Sequence, residues 1–140
     1  MRVLAVALVL ELAASSIATE LLLFGGRDHD VFLACLNCSR YDSGSVCNRY
    51  SENGSRYGDK SIWNRYGDFG SRYSEFSPWN RYASNPPVIV DRDGNFYGYF
   101  TANRFRDKRT KIKTLVILTD NVDWVIEDLA RARDAFCGDS

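Results

Sequence analysis

Apolar positions change their spacing several times along this chain, and each change predicts a different element. Val3 to Leu10 is unbroken and short, and Val31-Phe32-Leu33-Ala34 is a run of strand length. From about residue 29 to 85 single aromatics recur among polar residues, which predicts short extended pieces joined by turns. Pro87 to Val90 and Phe96 to Thr101 flank Asp91-Arg92-Asp93-Gly94-Asn95, a β-hairpin signature over about 87–101. Ile112 to Leu118 reads as a buried strand. Beyond a cap at Asp120 or Asn121, Val122, Val125, Ile126, Leu129, Ala132 and Phe136 share one helical face. Acidic residues crowd the start of that helix, arginines follow, and Gly138 closes it, as the helix dipole and the C-cap preference require. The expected fold is α+β and β-rich: a repeat array of short strands and turns, a hairpin, and a strand-helix unit over about 111–137.

The middle of the chain repeats with a period of sixteen. Ser45-Val46-Cys47-Asn48-Arg49-Tyr50 is followed by Ser61-Ile62-Trp63-Asn64-Arg65-Tyr66 and by Ser77-Pro78-Trp79-Asn80-Arg81-Tyr82. Gly54-Ser55-Arg56-Tyr57 and Gly70-Ser71-Arg72-Tyr73 form a second series, which Cys38-Ser39-Arg40-Tyr41 extends backwards with Cys38 in the glycine position. One such unit cannot bury its aromatics, so neighbours must stack. Strand alternation would put Ile62, Asn64 and Tyr66 on one face, with Trp63 and Arg65 on the other. The recurring Ser and Asn are expected to satisfy backbone groups at turns, and Asn85-Pro86-Pro87 ends the series.

Composition narrows the chemistry. Eighteen Lys and Arg balance eighteen Asp and Glu, so no net field recruits a polyanion or an acidic membrane. Aromatics are plentiful and there is one methionine, a balance that favours β-rich packing. Arg2, the apolar run from Val3 to Leu10 and Ser16-Ile17-Ala18 make a signal peptide over residues 1–18, with one domain over 19–140. A membrane anchor from Val3 to Phe24 would carry Glu11 and Glu20, each costing roughly 2.5–3.5 kcal/mol at the centre of a spanning helix. A secreted or periplasmic chain of this size with Cys35, Cys38, Cys47 and Cys137 is expected to hold disulfides, in any of three pairings. Redox chemistry at Cys35-Leu36-Asn37-Cys38 lacks a helix N-terminus, and zinc lacks a second close cysteine pair.

Candidate chemistry is sparse. No phosphate loop, nucleophile elbow or zinc-protease helix is present in the sequence, and no cofactor or metal is expected. His29 lies between Asp28 and Asp30, where it reads as a surface or turn residue; a small hydrolase using His29 with an Asp partner is the enzymatic alternative. Asp91, Asp93 and Asn95 resemble the start of a calcium loop but lack its closing glutamate. The basic stretch Arg104 to Lys113 reads as a solvated loop. Nucleic acid is disfavoured, because Asp42, Glu52, Asp59, Asp68 and Glu75 nearly cancel the repeat's arginines. Trp63, Trp79, Arg65 and Arg81 are the expected binding residues, stacking on a glycan or another envelope partner.

Taken together, Gly25 to Leu33, the Cys-Leu-Asn-Cys motif, the Ser-x-Trp-Asn-x-Tyr and Gly-Ser-x-Tyr units, Asn85-Pro86-Pro87 and the Asp-Gly-Asn hairpin resemble a family of small exported bacterial proteins. The resemblance covers roughly Gly25 to Asn103. It implies export and a bacterial source, and no mechanism. The expected function is a non-enzymatic binding or structural role in the bacterial envelope or exterior. The mature chain is predicted to begin near Thr19; N-terminal sequencing of protein from an export-competent host should find that residue first, and full-length cytosolic material would contradict it.

Overall fold

The computed structural model describes residues 19–138; the expected signal peptide lies outside the described residues. Four short strands form one antiparallel sheet: β1 (Leu22–Gly25), β2 (Val31–Cys35), β3 (Val88–Val90) and β4 (Phe96–Tyr99), in the order β2-β1-β3-β4. Three helices follow: α1 (Lys113–Asp120), α2 (Val122–Glu127) and α3 (Leu129–Cys137). The mixed α+β class is as expected, but the helices hold more residues than the strands, because the aromatics that argued for β-structure sit mostly in turns.

β1 and β2 are joined through Gly26 to Asp30, where His29 takes a left-handed φ of 54° and its N–H donates to the Gly26 carbonyl at 3.2 Å. β3 and β4 form the expected hairpin. Between β2 and β3 the chain makes its long excursion, and no strand occurs in it; the expected short extended pieces are replaced by a succession of turns. Amides of Asn48, Ser51, Gly54, Gly58, Ser61, Asn64, Gly67 and Gly70 each donate to the carbonyl three residues earlier. Steps of four occur where the Ser55 amide donates to the Ser51 carbonyl and the Ser71 amide to that of Gly67.

Side chains hold these turns. A Ser or Asn oxygen accepts the amide two residues on: Cys47 from Ser45, Tyr50 from Asn48, Trp63 from Ser61, Tyr66 from Asn64, Trp79 from Ser77 and Tyr82 from Asn80, all at 2.9–3.1 Å. Asn48, Asn64 and Asn80 also donate through Nδ2 to the carbonyl six residues earlier, each at 3.0 Å. Gly70 is obligatory, because a Cβ there would sit 2.1 Å from the Asn64 carbonyl oxygen.

Successive stretches stack through their tryptophans. Trp63 Nε1 donates to the Val46 carbonyl at 2.9 Å, and Trp79 Nε1 to that of Ile62 at 2.6 Å. The two indoles stack with centroids 5.7 Å apart, and Phe100 meets Trp79 edge-on at 5.4 Å. This column joins Leu23, Leu33 and Ile89 of the sheet and Leu115, Val125 and Ala132 of the helices in one core. Strand alternation therefore fails at Ile62, Trp63 and Asn64, which are all buried, while Tyr66 is 86% exposed. In a turn, two consecutive side chains can point to the same side.

Cys47 stands where Trp63 and Trp79 stand in later units, and it is bonded to Cys137 at the end of α3. That bridge spans ninety positions, so on a chain-entropy scale it is worth about 4–5 kcal/mol, well above the three-position Cys35–Cys38 bridge. The expected oxidised cysteines are thus present, in one of the three pairings left open. Asp134 of α3 accepts from Arg49 of the turns and from Arg133, both at 3.1 Å, and Arg133 reaches the Gly54 carbonyl at 3.3 Å. Asn53 Nδ2 donates to the Leu33 carbonyl at 2.7 Å, covering the exposed edge of β2.

Two C-terminal expectations are corrected. Residues 112–118 are not a strand, because β4's free edge is already bonded to the loop at Lys108 and Thr110. Leu115, Leu118 and Thr119 instead bury one face of α1. The single helix expected after Asn121 breaks at Asp128, whose extended backbone ends α2 and whose carboxylate caps α3 by accepting from the Arg131 amide at 3.1 Å. Trp63→Ala is predicted to destabilise the fold by about 3–5 kcal/mol and Tyr66→Ala by less than about 0.5 kcal/mol, measured by urea unfolding. Equal losses would contradict this division of the two faces.

Candidate functional site

The sequence placed Trp63 and Trp79 on a binding surface; the structure places both in the core at 1% exposure, with their indole N–H groups already bonded. Neither offers a face to a ligand. The surface they were assigned belongs to the tyrosines. All six tyrosines of the Arg-Tyr dipeptides point outward, from 74% exposed at Tyr57 to 92% at Tyr50. The reason is local: each lies second after a Ser or Asn anchor in a turn, and its amide is bonded back to that anchor.

Arginines flank these rings. The guanidinium carbons of Arg56, Arg65 and Arg72 lie 5.1, 5.7 and 5.5 Å from the centroids of Tyr57, Tyr66 and Tyr73. Arg65 and Arg81, the two arginines expected to bind, are both exposed but not equivalent. Arg81 bonds Asp123 of α2 at 2.8 Å, and that hydrogen bond holds the Asp123 carboxyl below the ordinary carboxylate range. A further member of the outer row escaped the sequence reading. Asn103-Arg104-Phe105 repeats the Asn-Arg-Tyr turn, with the Phe105 amide bonded to Asn103 Oδ1 at 3.0 Å and its ring 95% exposed. The Asn-Arg-aromatic triplet was the available signal, hidden by its break from the sixteen-residue spacing.

The remaining candidates have structural employment. His29 Nε2 lies 2.9 Å from the Pro86 carbonyl, so that nitrogen carries its proton and donates. Its ring sits beside Tyr99 at 6.0 Å, and Asp28 and Asp30 are exposed. Cys35 and Cys38 lie near Glu20 in the one metal-like grouping among the described residues, but their sulfurs are bonded to each other. Asn53, in a glycosylation-like Asn53-Gly54-Ser55, is buried and bonded.

Asp91 is the anchor of the hairpin turn. Its Oδ1 accepts from the Asp93 and Asn95 amides at 2.9 and 3.0 Å, and its Oδ2 from Asn95 Nδ2 and the Tyr97 hydroxyl, both at 2.9 Å. Both oxygens thus face donors, an arrangement that serves a turn and opposes a cation. The bond from Asn95 leads in holding the Asp91 carboxyl below its ordinary range, while Asp91 raises the Tyr97 phenol. The chain matches no protein-family model, no curated protein and no solved structure.

The pH consequence follows from the sign of the Asp91 shift. A carboxyl depressed on folding adds stability above its unfolded value, about pH 3.9, and loses it as pH falls through the lower folded value. Asp91→Asn is predicted to lower stability at pH 6 and to flatten the acid limb of the stability curve below pH 4. An unchanged acid limb would contradict the assignment.

Proposed function

We propose that this is an exported, non-enzymatic binding or structural protein of the bacterial envelope or exterior. It presents tandem copies of one sixteen-residue unit, and the outward Arg-Tyr face of those units meets a glycan or another envelope partner. The observation that carries the reading is the exposure of six tyrosines, none below 74%, on turns whose folding does not use their rings. Ser, Asn, Gly and Trp suffice to build the turns. An outer position of such a coil is satisfied by any polar residue, so aromatics held there in regular order are a surface for contact.

Tyrosine and arginine suit a sugar polymer, since flat rings stack on C–H faces while guanidinium and phenol groups bond hydroxyls. The balanced charge argues against a nucleic acid, which calls for a basic stripe. Two disulfides support an oxidising compartment, and no helix among the described residues is long and apolar enough to cross a membrane.

The test is a combined variant, Tyr50→Ala, Tyr66→Ala and Tyr82→Ala. Its melting temperature is predicted to stay within about 3 °C of the parent, since surface substitutions cost little. Its retention on insoluble cell-wall polysaccharide is predicted to fall to background. Undiminished retention would remove the tyrosine face from the account.

A further inference from the structure

We infer that the cleft between the turns at Arg65-Tyr66 and Arg72-Tyr73 and the start of α3 is a binding site for an acidic sugar unit, with Arg65 and Arg72 holding its carboxylate. The inference rests on the glycan reading above and narrows it to one site and one chemistry. The cleft measures about 420 Å³, within the range of about 300–1,000 Å³ usual for small-molecule sites. Arg65, Tyr66, Arg72 and Tyr73 line one side of it, and Ile126 and Leu129 contribute an apolar wall.

Charge distribution along the outer row singles this place out. Arg49, sixteen positions before Arg65, is bonded to Asp134 of α3 at 3.1 Å, and Arg81, sixteen after, to Asp123 of α2 at 2.8 Å. Between them the helices present Ile126 and Leu129 to the cleft, and among the described residues no carboxylate lies within ion-pair distance of Arg65 or Arg72. Arg72 acts on Asp123 through space only, and that carboxylate is already bonded to Arg81. Arg65 and Arg72 therefore both line one cleft with no ion-pair partner among the described residues.

The ligand is defined by what each wall can recognise. Guanidinium groups favour a carboxylate over a hydroxyl, because charge-assisted bonds are roughly twice as strong as neutral ones. Tyr66, Tyr73, Ile126 and Leu129 line the cleft and give it apolar surface for the C–H face of a pyranose. A bare sulfate or phosphate would leave that wall unused, and a neutral sugar would leave the guanidinium groups unused. A hexuronate uses both. The net charge of zero keeps the positive potential local to the cleft, so the preference is for a spaced acidic unit over a dense polyanion.

The test is calorimetric titration of the full chain with trigalacturonate, its methyl ester, sodium sulfate and oligothymidylate. Trigalacturonate is predicted to bind at least about tenfold more tightly than the ester, and Arg65→Gln and Arg72→Gln are each predicted to weaken it by about tenfold or more. Arg92→Gln is the control, since Arg92 is an exposed arginine of the β3–β4 hairpin that pairs with Glu20 at 2.8 Å, outside both the Arg-Tyr face and the cleft; binding should not change. All three arginines are exposed, and thermal unfolding of each variant verifies that the fold is kept. Equal binding of acid and ester, with Arg65→Gln silent, would overturn this inference and leave the glycan reading standing. Retention of no glycan at all would overturn both. Tighter binding of oligothymidylate, displacement by sulfate at equal concentration, or an equal loss in Arg92→Gln would each replace the sugar site with a generic anion surface.

Discussion

A backbone that turns every third residue has no neighbouring strand to bond with, and each buried N–H or C=O left unpaired costs about 1–3 kcal/mol. The long excursion between β2 and β3 is built around this constraint. Its carbonyls accept amides three residues on, and Ser or Asn oxygens take the amides in between. Two carbonyls that face inward, those of Val46 and Ile62, are reached by the indole N–H of the tryptophan seventeen positions later. Tryptophan thus supplies core volume and a hydrogen bond at once, and the stacking of one stretch on the next follows from it. Cys47, sixteen positions before Trp63, instead ties the turns to α3 by a disulfide.

Buried and exposed side chains separate on the same turns. Ile62, Trp63, Pro78 and Trp79 are buried in the core, and the tyrosines of the Arg-Tyr turns are exposed. The inward turns fix register and spacing, while the outward side chains can serve contact without weakening the core. Helices α2 and α3 then modulate the outer row by where they place carboxylates: Asp123 and Asp134 occupy two arginines, and the apolar Ile126 and Leu129 face the cleft that Arg65 lines.

Part of this was legible in the sequence. The hairpin around Asp91-Arg92-Asp93-Gly94-Asn95 and strand Val31 to Cys35 read correctly, because both depend on local turn chemistry and a short apolar run. The assignment of Trp63 and Trp79 to the surface failed because alternation was assumed where the chain is not extended. The corrective signal was present: Ser45, Asn48, Ser51, Ser55, Gly58, Ser61 and Asn64 place a small polar residue or glycine at steps of three and four, a period of turns. Strand β1 was assigned no element because it lies just beyond the expected signal peptide of residues 1–18, where Leu21 to Phe24 is a short apolar run without alternation, and α1 was mistaken for a strand because Leu115 to Leu118 is apolar on every side. The cleft at Arg65 and Arg72 had no sequence signature, since it depends on which helix residues face the turns.

The indole bonds and the turns they close form one cooperative unit with the sheet. Native-state hydrogen exchange of the three indole N–H groups tests it directly. Trp63 and Trp79, buried and bonded, should exchange only through global unfolding, with free energies equal to that from denaturant titration. Trp124, 41% exposed on α2, should exchange far faster. Exchange of Trp63 or Trp79 through local opening, several kcal/mol below the global value, would show that the turn column is not what holds the fold together.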